Sequence, residues 1–183
     1  MNVPMPRSKK IFNHPEVRSV PILINTTRFG HFSVNDEDVV RFPKGIPGFE
    51  THSEWALAGE EDNPIKWLQS LSDGDVALPV VTPDTVKMNY NARLPQGSIS
   101  LLESESVEDL ALLLVLSIPL GAPWDMTANL RAPVVINHKK RLGCQVIAEN
   151  EEYDLRTPVL SDIMRESMRR KAVGEASKAA PEE

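Results

Sequence analysis

The stretch Thr127–Ile147, TANLRAPVVINHKKRLGCQVI, constrains the fold more than any other part of the chain. Two short apolar runs, Pro133–Ile136 and Cys144–Ala148, flank a polar tip of His138, Lys139, Lys140 and Arg141. Runs this short, rich in Val and Ile and closed by Gly143, predict a β-hairpin with a longer loop. Proline has no N–H to give a ladder, so Pro133 is expected at a strand start. Just upstream, Asn129 and Arg131 alternate with Ala128, Leu130 and Ala132. In an extended chain that spacing sets the two polar side chains on the face opposite the small apolar ones.

The rest of the chain repeats this pattern of short apolar runs between turn residues. Ile22–Ile24, Phe32 to Val34, Val39 to Phe42, Trp55–Ala58, Ile65–Ser70 and Val76–Thr82 read as strands. Val86, Met88 and Tyr90 alternate with Lys87, Asn89 and Asn91, which predicts a half-exposed strand. In the loop Phe42 to Glu50, Pro47 and Gly48 suit the two central positions of a type II turn. Gly45 lies in the same loop, and Phe42 and Phe49 are placed to pack beneath it. Leu110–Ile118 is ambiguous: Leu and Ala favour helix, while the short length, Pro119 and Gly121 favour a buried strand. Pro95–Ser106 is a polar segment suited to a short connecting helix, with Ser106 and Asp109 spaced as a capping box.

The ends differ from the middle. Met1–Val20 has little apolar periodicity and is expected to be a flexible N-terminal extension. Near the C-terminus, Thr157 reads as an N-cap and Pro158 as a first helical residue. Leu160, Ile163, Met164 and Met168 then predict an amphipathic helix from about Pro158 to Val173, stopped by Gly174 and followed by a disordered tail. Its apolar stripe is expected either to cover one end of the domain or to offer a partner surface, the covering role being favoured. The expected organisation is therefore 1–20 extension, 21–158 β domain, and 159–183 helix and tail.

Charge narrows the partner class. Of 20 Lys+Arg, 11 lie between residues 21 and 158, against 20 of the 26 Asp+Glu, a net −9 in that region. An acidic domain repels phosphate backbones, so direct nucleic-acid binding is not expected, and a basic protein partner is favoured. No run approaches the ~20 apolar residues of a membrane-spanning helix. No secretory signal is apparent, and the single cysteine, Cys144, cannot form an internal disulfide. These features predict a reduced, cytoplasmic protein with no membrane association.

Catalytic patterns do not assemble. There is no glycine-rich phosphate loop and no nucleophile elbow. His14, His31, His52 and His138 are scattered, without metal-ligand spacing. Cys144 sits in an apolar run with no activating neighbour and reads as an inert thiol. The expectation is a protein that is not an enzyme and carries no cofactor and no metal.

The motifs RFPKGIPGFE (41–50), WLQS (67–70), VVTPD (80–84), TANLRAPVVIN (127–137) and GCQVI (143–147), with Tyr153 and Arg156 to Pro158, resemble the flagellar assembly factor FliW family. Each motif is short; together and in order they are specific, and they span about Ile24 to Pro158. The resemblance implies a mostly β, compact antiparallel β-barrel-like domain, and it resolves Leu110–Ile118 as a strand. It also implies two protein partners, flagellin and the translational repressor CsrA, which exclude one another on a FliW that is monomeric when unbound. Candidate protein-binding residues are Gly45, Pro47, Gly48, Phe49 and Glu50 in the first motif, and Glu60 and Glu61 in an acidic loop. Trp67 and Gln69, with Asn129 and Arg131, complete the set. The alternatives are a flagellin-dedicated chaperone without a CsrA link, or a flavin-binding split-barrel oxidoreductase. The latter is weakened by the lack of a phosphate-binding cluster of Arg, Ser and Thr.

Overall fold

The computed structural model describes residues 21–179, which form eleven strands and one α-helix joined by 3-10 turns. The expected flexible extension, 1–20, and the last residues of the tail lie outside the described residues. The strands are β1 (Ile22–Thr26), β2 (Gly30–Val34), β3 (Val39–Arg41), β4 (Glu54–Ala58), β5 (Lys66–Ser70) and β6 (Ala77–Val81). They continue with β7 (Leu110–Ser117), β8 (Thr127–Ala128), β9 (Val134–Asn137), β10 (Leu142–Gln145) and β11 (Thr157–Pro158). The helix α1 runs Asp162–Ala179.

Seven strands, in the order β3-β4-β5-β6-β7-β9-β10, close into a barrel because β10 returns to β3. All neighbours are antiparallel except β10 and β3, which meet in parallel at the single pair Leu142–Arg41. The Arg41 N–H donating to the Arg141 carbonyl at 2.8 Å reinforces that narrow seam. The β9–β10 hairpin is the one anticipated around His138–Arg141, its register running from Leu142–Asn137 to Gln145–Val134. Pro133 falls immediately before β9, and Pro79 falls outside the two-pair ladder of β6 with β7, so neither removes a needed donor.

Inward-facing residues pack around Trp55. Phe42, Ile46, Leu68, Val80, Leu113 and Val134 are buried in one cluster with it. Phe42 and Phe49 each meet Trp55 edge-on, at centroid distances of 6.3 and 6.1 Å. Gly143 is required by this packing: a Cβ there would lie 2.4 Å from Phe42 Cζ. Outside the barrel, the β1–β2 hairpin covers Val39 and Ala56. Thr27 N–H donates to Gly74 O at 3.2 Å, fixing the hairpin tip, and the Arg28 guanidinium lies 3.4 Å above the Trp67 ring.

Several local expectations are corrected. Residues 86–91 are turn, not strand. Tyr90 leaves the alternation to stack on Tyr153 at 4.9 Å and to donate its hydroxyl to Leu130 O at 2.9 Å. Burial, with Tyr153 adjacent, pushes the Tyr90 hydroxyl up to about 12. The connecting segment holds two 3-10 turns, Ser100–Leu102 and Val107–Asp109, with Ser106 capping the second through Glu108 N–H. Thr157 and Pro158 do not begin a helix; they pair with Ala128 and Thr127 as β11. The cap is Ser161, whose hydroxyl faces Met164 N–H at 3.4 Å. Gly174 lies within α1 rather than ending it.

The apolar stripe of α1 does not cover the barrel. Ile163 is 83% exposed, and Met164 and Met168 are exposed too. Arg165 and Arg169, four apart and so on one helix face, both reach Asp125, at 2.9 and 3.5 Å. Polar contacts, not apolar burial, hold the helix. Hydrogen bonding from Arg165 keeps the Asp125 carboxyl below its usual range. A carboxyl depressed in the folded state contributes above its ordinary pKa, and that contribution is lost as pH falls through the folded value.

Two outcomes are expected. Gly143→Ala should lower stability by about 1–3 kcal/mol through overpacking against Phe42, read as a shift in the urea midpoint; an unchanged midpoint would remove that contact from the closure of the barrel. Asp125→Asn at neutral pH should raise amide exchange across α1 while leaving barrel amides protected. The native chain should release α1 in this way only in acid.

Candidate protein-binding site

An open groove of about 1130 Å³ lies near the start of β9 and the end of β10. Asn129, Arg131 and Ala132 line it together with Gln145, and Ile147 and Leu155 add apolar surface. Pro47, on the turn between β3 and β4, also lines it. Three of its polar side chains are tied to the backbone. Asn129 Oδ1 accepts from Ala132 N–H at 2.8 Å, and Gln145 Nε2 donates to Ala132 O at 2.9 Å. The Arg131 guanidinium donates to Asn150 O at 2.5 Å. Buried Asn150 in turn ties Arg93 N–H and Asn91 O to this region.

Against that fixed lining, Ile147 is 68% and Leu155 63% exposed, two large apolar side chains in water on one groove. Glu151, Asp154 and Arg156 supply charge at the same groove. An apolar groove edged with charge, on a preformed scaffold, is suited to a polypeptide segment.

The structure brings together three of the residues singled out from sequence, Pro47, Asn129 and Arg131. The Pro47 loop has the anticipated turn: Phe49 N–H donates to Ile46 O at 2.7 Å, and Gly48 has φ of +86°. Gly45 is buried, its φ is +68°, and a Cβ would meet Glu50 Cα at 2.5 Å. Glu50 is exposed, its carboxyl held low by hydrogen bonds from the Gly48 N–H, at 2.9 Å, and from its own N–H. Phe49 is half-buried against Trp55 and His52.

The others lie elsewhere. Glu60 and Glu61 sit on the β4–β5 turn, at the other end of β4 from the Pro47 loop, where Lys66 Nζ caps both of their carbonyls. Trp67 is half-buried beneath Arg28. Gln69 is fully buried, and its Nε2 donates to the carbonyls of Ser70, Asp73 and Val76 at 3.0–3.2 Å. It shapes the β5–β6 turn from a fully buried position. Sequence reading missed Ile147 and Leu155. The available signals were the outward parity of Ile147 in the hairpin and an isolated Leu in the polar segment 149–156. Cys144 is half-buried, and burial pushes its thiol up. Among the described residues no group of His, Cys, Asp and Glu could hold a metal ion, and no helix is long and apolar enough to cross a membrane.

The fold and its groove define a class first: a small, closed, mostly antiparallel β-barrel with a surface groove of peptide dimensions. Comparison with known proteins then fixes the family. The FliW protein family matches residues 23–159. A flagellar assembly factor FliW from Thermotoga maritima is 42% identical over 144 residues, covering 78% of this chain and 97% of that one. One from Thermosipho africanus is 40% identical over 131 residues, covering 71% and 90%. A crystal structure of the flagellar assembly factor FliW superposes with a TM-score of 0.70 at 33% identity, covering 76% of this chain and 98% of that one. The chain belongs to the FliW family of flagellar assembly factors, and α1 lies beyond the matched region.

If Ile147 and Leu155 serve a partner rather than the core, Ile147→Asp should change the unfolding free energy, read from urea unfolding, by less than about 0.5 kcal/mol. A larger loss would make the residue structural.

Proposed function

We propose that this chain is a cytoplasmic, non-enzymatic regulator that binds flagellin and antagonises CsrA by a partner switch. Held by flagellin, it leaves CsrA free to repress flagellin translation. Once flagellin is exported, the freed protein binds CsrA and relieves the repression. Membership of the FliW family across residues 23–159 carries this reading. The groove at Pro47, Asn129, Arg131, Ile147 and Leu155 supports it as a protein-sized contact surface. The net acidity of residues 21–158 supports a basic partner, with charge acting more on the association rate than on the affinity.

The test is size-exclusion co-elution of the full chain with flagellin, with CsrA, and with both. Two binary complexes that never merge into a ternary one are expected. Binding to flagellin alone would leave a dedicated chaperone, and binding to neither would overturn the proposal. Charge reversal at Glu60, Glu61 and Asp62 should slow CsrA association severalfold at low salt. An unchanged rate would remove that loop from steering.

A further inference from the structure

The barrel end opposite the Pro47 loop is incompletely closed. Here β3 and β7 start and β4 and β9 finish. A second hollow, of about 470 Å³, opens between β2 and the β9–β10 tip. Its floor is Val40, Leu113 and Ile136, three members of the barrel core. Two further lining residues break the rule that the inward face is buried. Leu57 has the same strand parity as fully buried Trp55, yet is 49% exposed. Ala111, two residues before buried Leu113, is also exposed. The core therefore reaches water at this mouth, in a space within the range of small-ligand and side-chain pockets.

The charge around the mouth is mixed, with acid in excess at this end of the barrel. Asp38 lines the hollow, as do His138 and Arg141. Glu37 precedes it, and Glu60, Glu61 and Asp62 follow β4 directly. None of these five carboxylates has an ion-pair partner among the described residues. The acids Asp36 and Asp109 at this end are already paired, with Arg41 and Lys139. Opposing cations are Lys66, whose ammonium is held by the carbonyls of Glu60 and Glu61, and Lys140 and Arg141 on the hairpin tip. Acid remains in excess.

We propose that this mouth is a second binding site, which takes an apolar side chain carried on a basic polypeptide segment. The apolar side chain covers Leu57 and Ala111 and completes the core. Flanking lysines or arginines meet Asp38 and the β4–β5 turn. The site holds whether or not the partner switch operates, because nothing in it depends on who the partners are.

The probe is a synthetic pentapeptide amide with leucine between two lysine pairs, titrated into the full-length protein and followed by amide chemical shifts at low salt. Two control peptides carry alanine for leucine, or glutamate for lysine. The first peptide should shift the amides of Leu57 and Ala111. The alanine control should bind about tenfold more weakly, the scale of one buried leucine, and the glutamate control should not bind. Ala111→Trp, which fills the hollow from an exposed position, should weaken the first peptide by a similar factor. Equal binding of the leucine and alanine peptides would reduce the effect to general charge attraction and overturn the proposal. Shifts confined to the Ile147–Leu155 groove would also overturn it, as would stronger binding of the glutamate peptide. The wild-type comparison decides the matter even if Ala111→Trp fails to fold.

Discussion

The closure of the barrel rests on the contact between Phe42 and Gly143. Strand β3 offers only three residues, and it meets β10 through one parallel pair. So short a ladder cannot hold a barrel shut by hydrogen bonds alone, since each contributes only about 1 kcal/mol net. The seam holds because the Phe42 ring lies against the backbone of Gly143, where any side chain would collide with it. The ring then meets Trp55, and Trp55 organises the interior. Remove the space above Gly143, and either Phe42 turns out of the core or β10 moves off β3.

That arrangement explains why so much of the fold was legible in the sequence. Short alternating runs bounded by Gly and Pro have few ways to bury their apolar faces, and the hairpin around His138–Arg141 has its turn residues in place. Pro47 and Gly48 specify their turn by backbone chemistry alone. Illegible parts are those decided at long range. Val86 to Asn91 alternates like a strand, but the stack of Tyr90 on Tyr153, 63 positions away in sequence, wins over the local pattern. Thr157-Pro158 has good helix-start chemistry, yet Ala128 was waiting with an open ladder. The Arg165 and Arg169 pairing with Asp125 likewise depends on a partner some 40 residues distant, so it outweighs a stripe of Ile and Met that looked fit for burial.

The candidate site was only half legible for a related reason. Pro47, Asn129 and Arg131 belong to distant segments and meet at one groove only after the barrel closes. Ile147 and Leu155, which give the groove its apolar character, carry no motif; what distinguishes them is exposure, and exposure exists only in three dimensions. Gln69 shows the reverse error. A polar residue ending an apolar strand suggests a rim, but Gln69 is fully buried and its side-chain NH2 donates to the carbonyls of the following turn.

The geometry also limits how two partners could exclude each other. Partners that share the groove would compete by simple overlap. Partners at opposite barrel ends would have to communicate through the interior, and the buried cluster around Trp55 offers a short route. Phe49, beneath the Pro47 loop, touches Trp55; Leu57, at the far mouth, stands two residues along β4 on the same face as Trp55. A close-packed core transmits small displacements instead of absorbing them. Couplings between sites are typically about 1–3 kcal/mol, the scale of shifting one buried aromatic ring between two packings. Trp55, packed with Phe42, Leu68 and Leu113 in one cluster, lies on that route, so its substitution should disturb an end-to-end exclusion, whereas overlap at the groove would leave it indifferent.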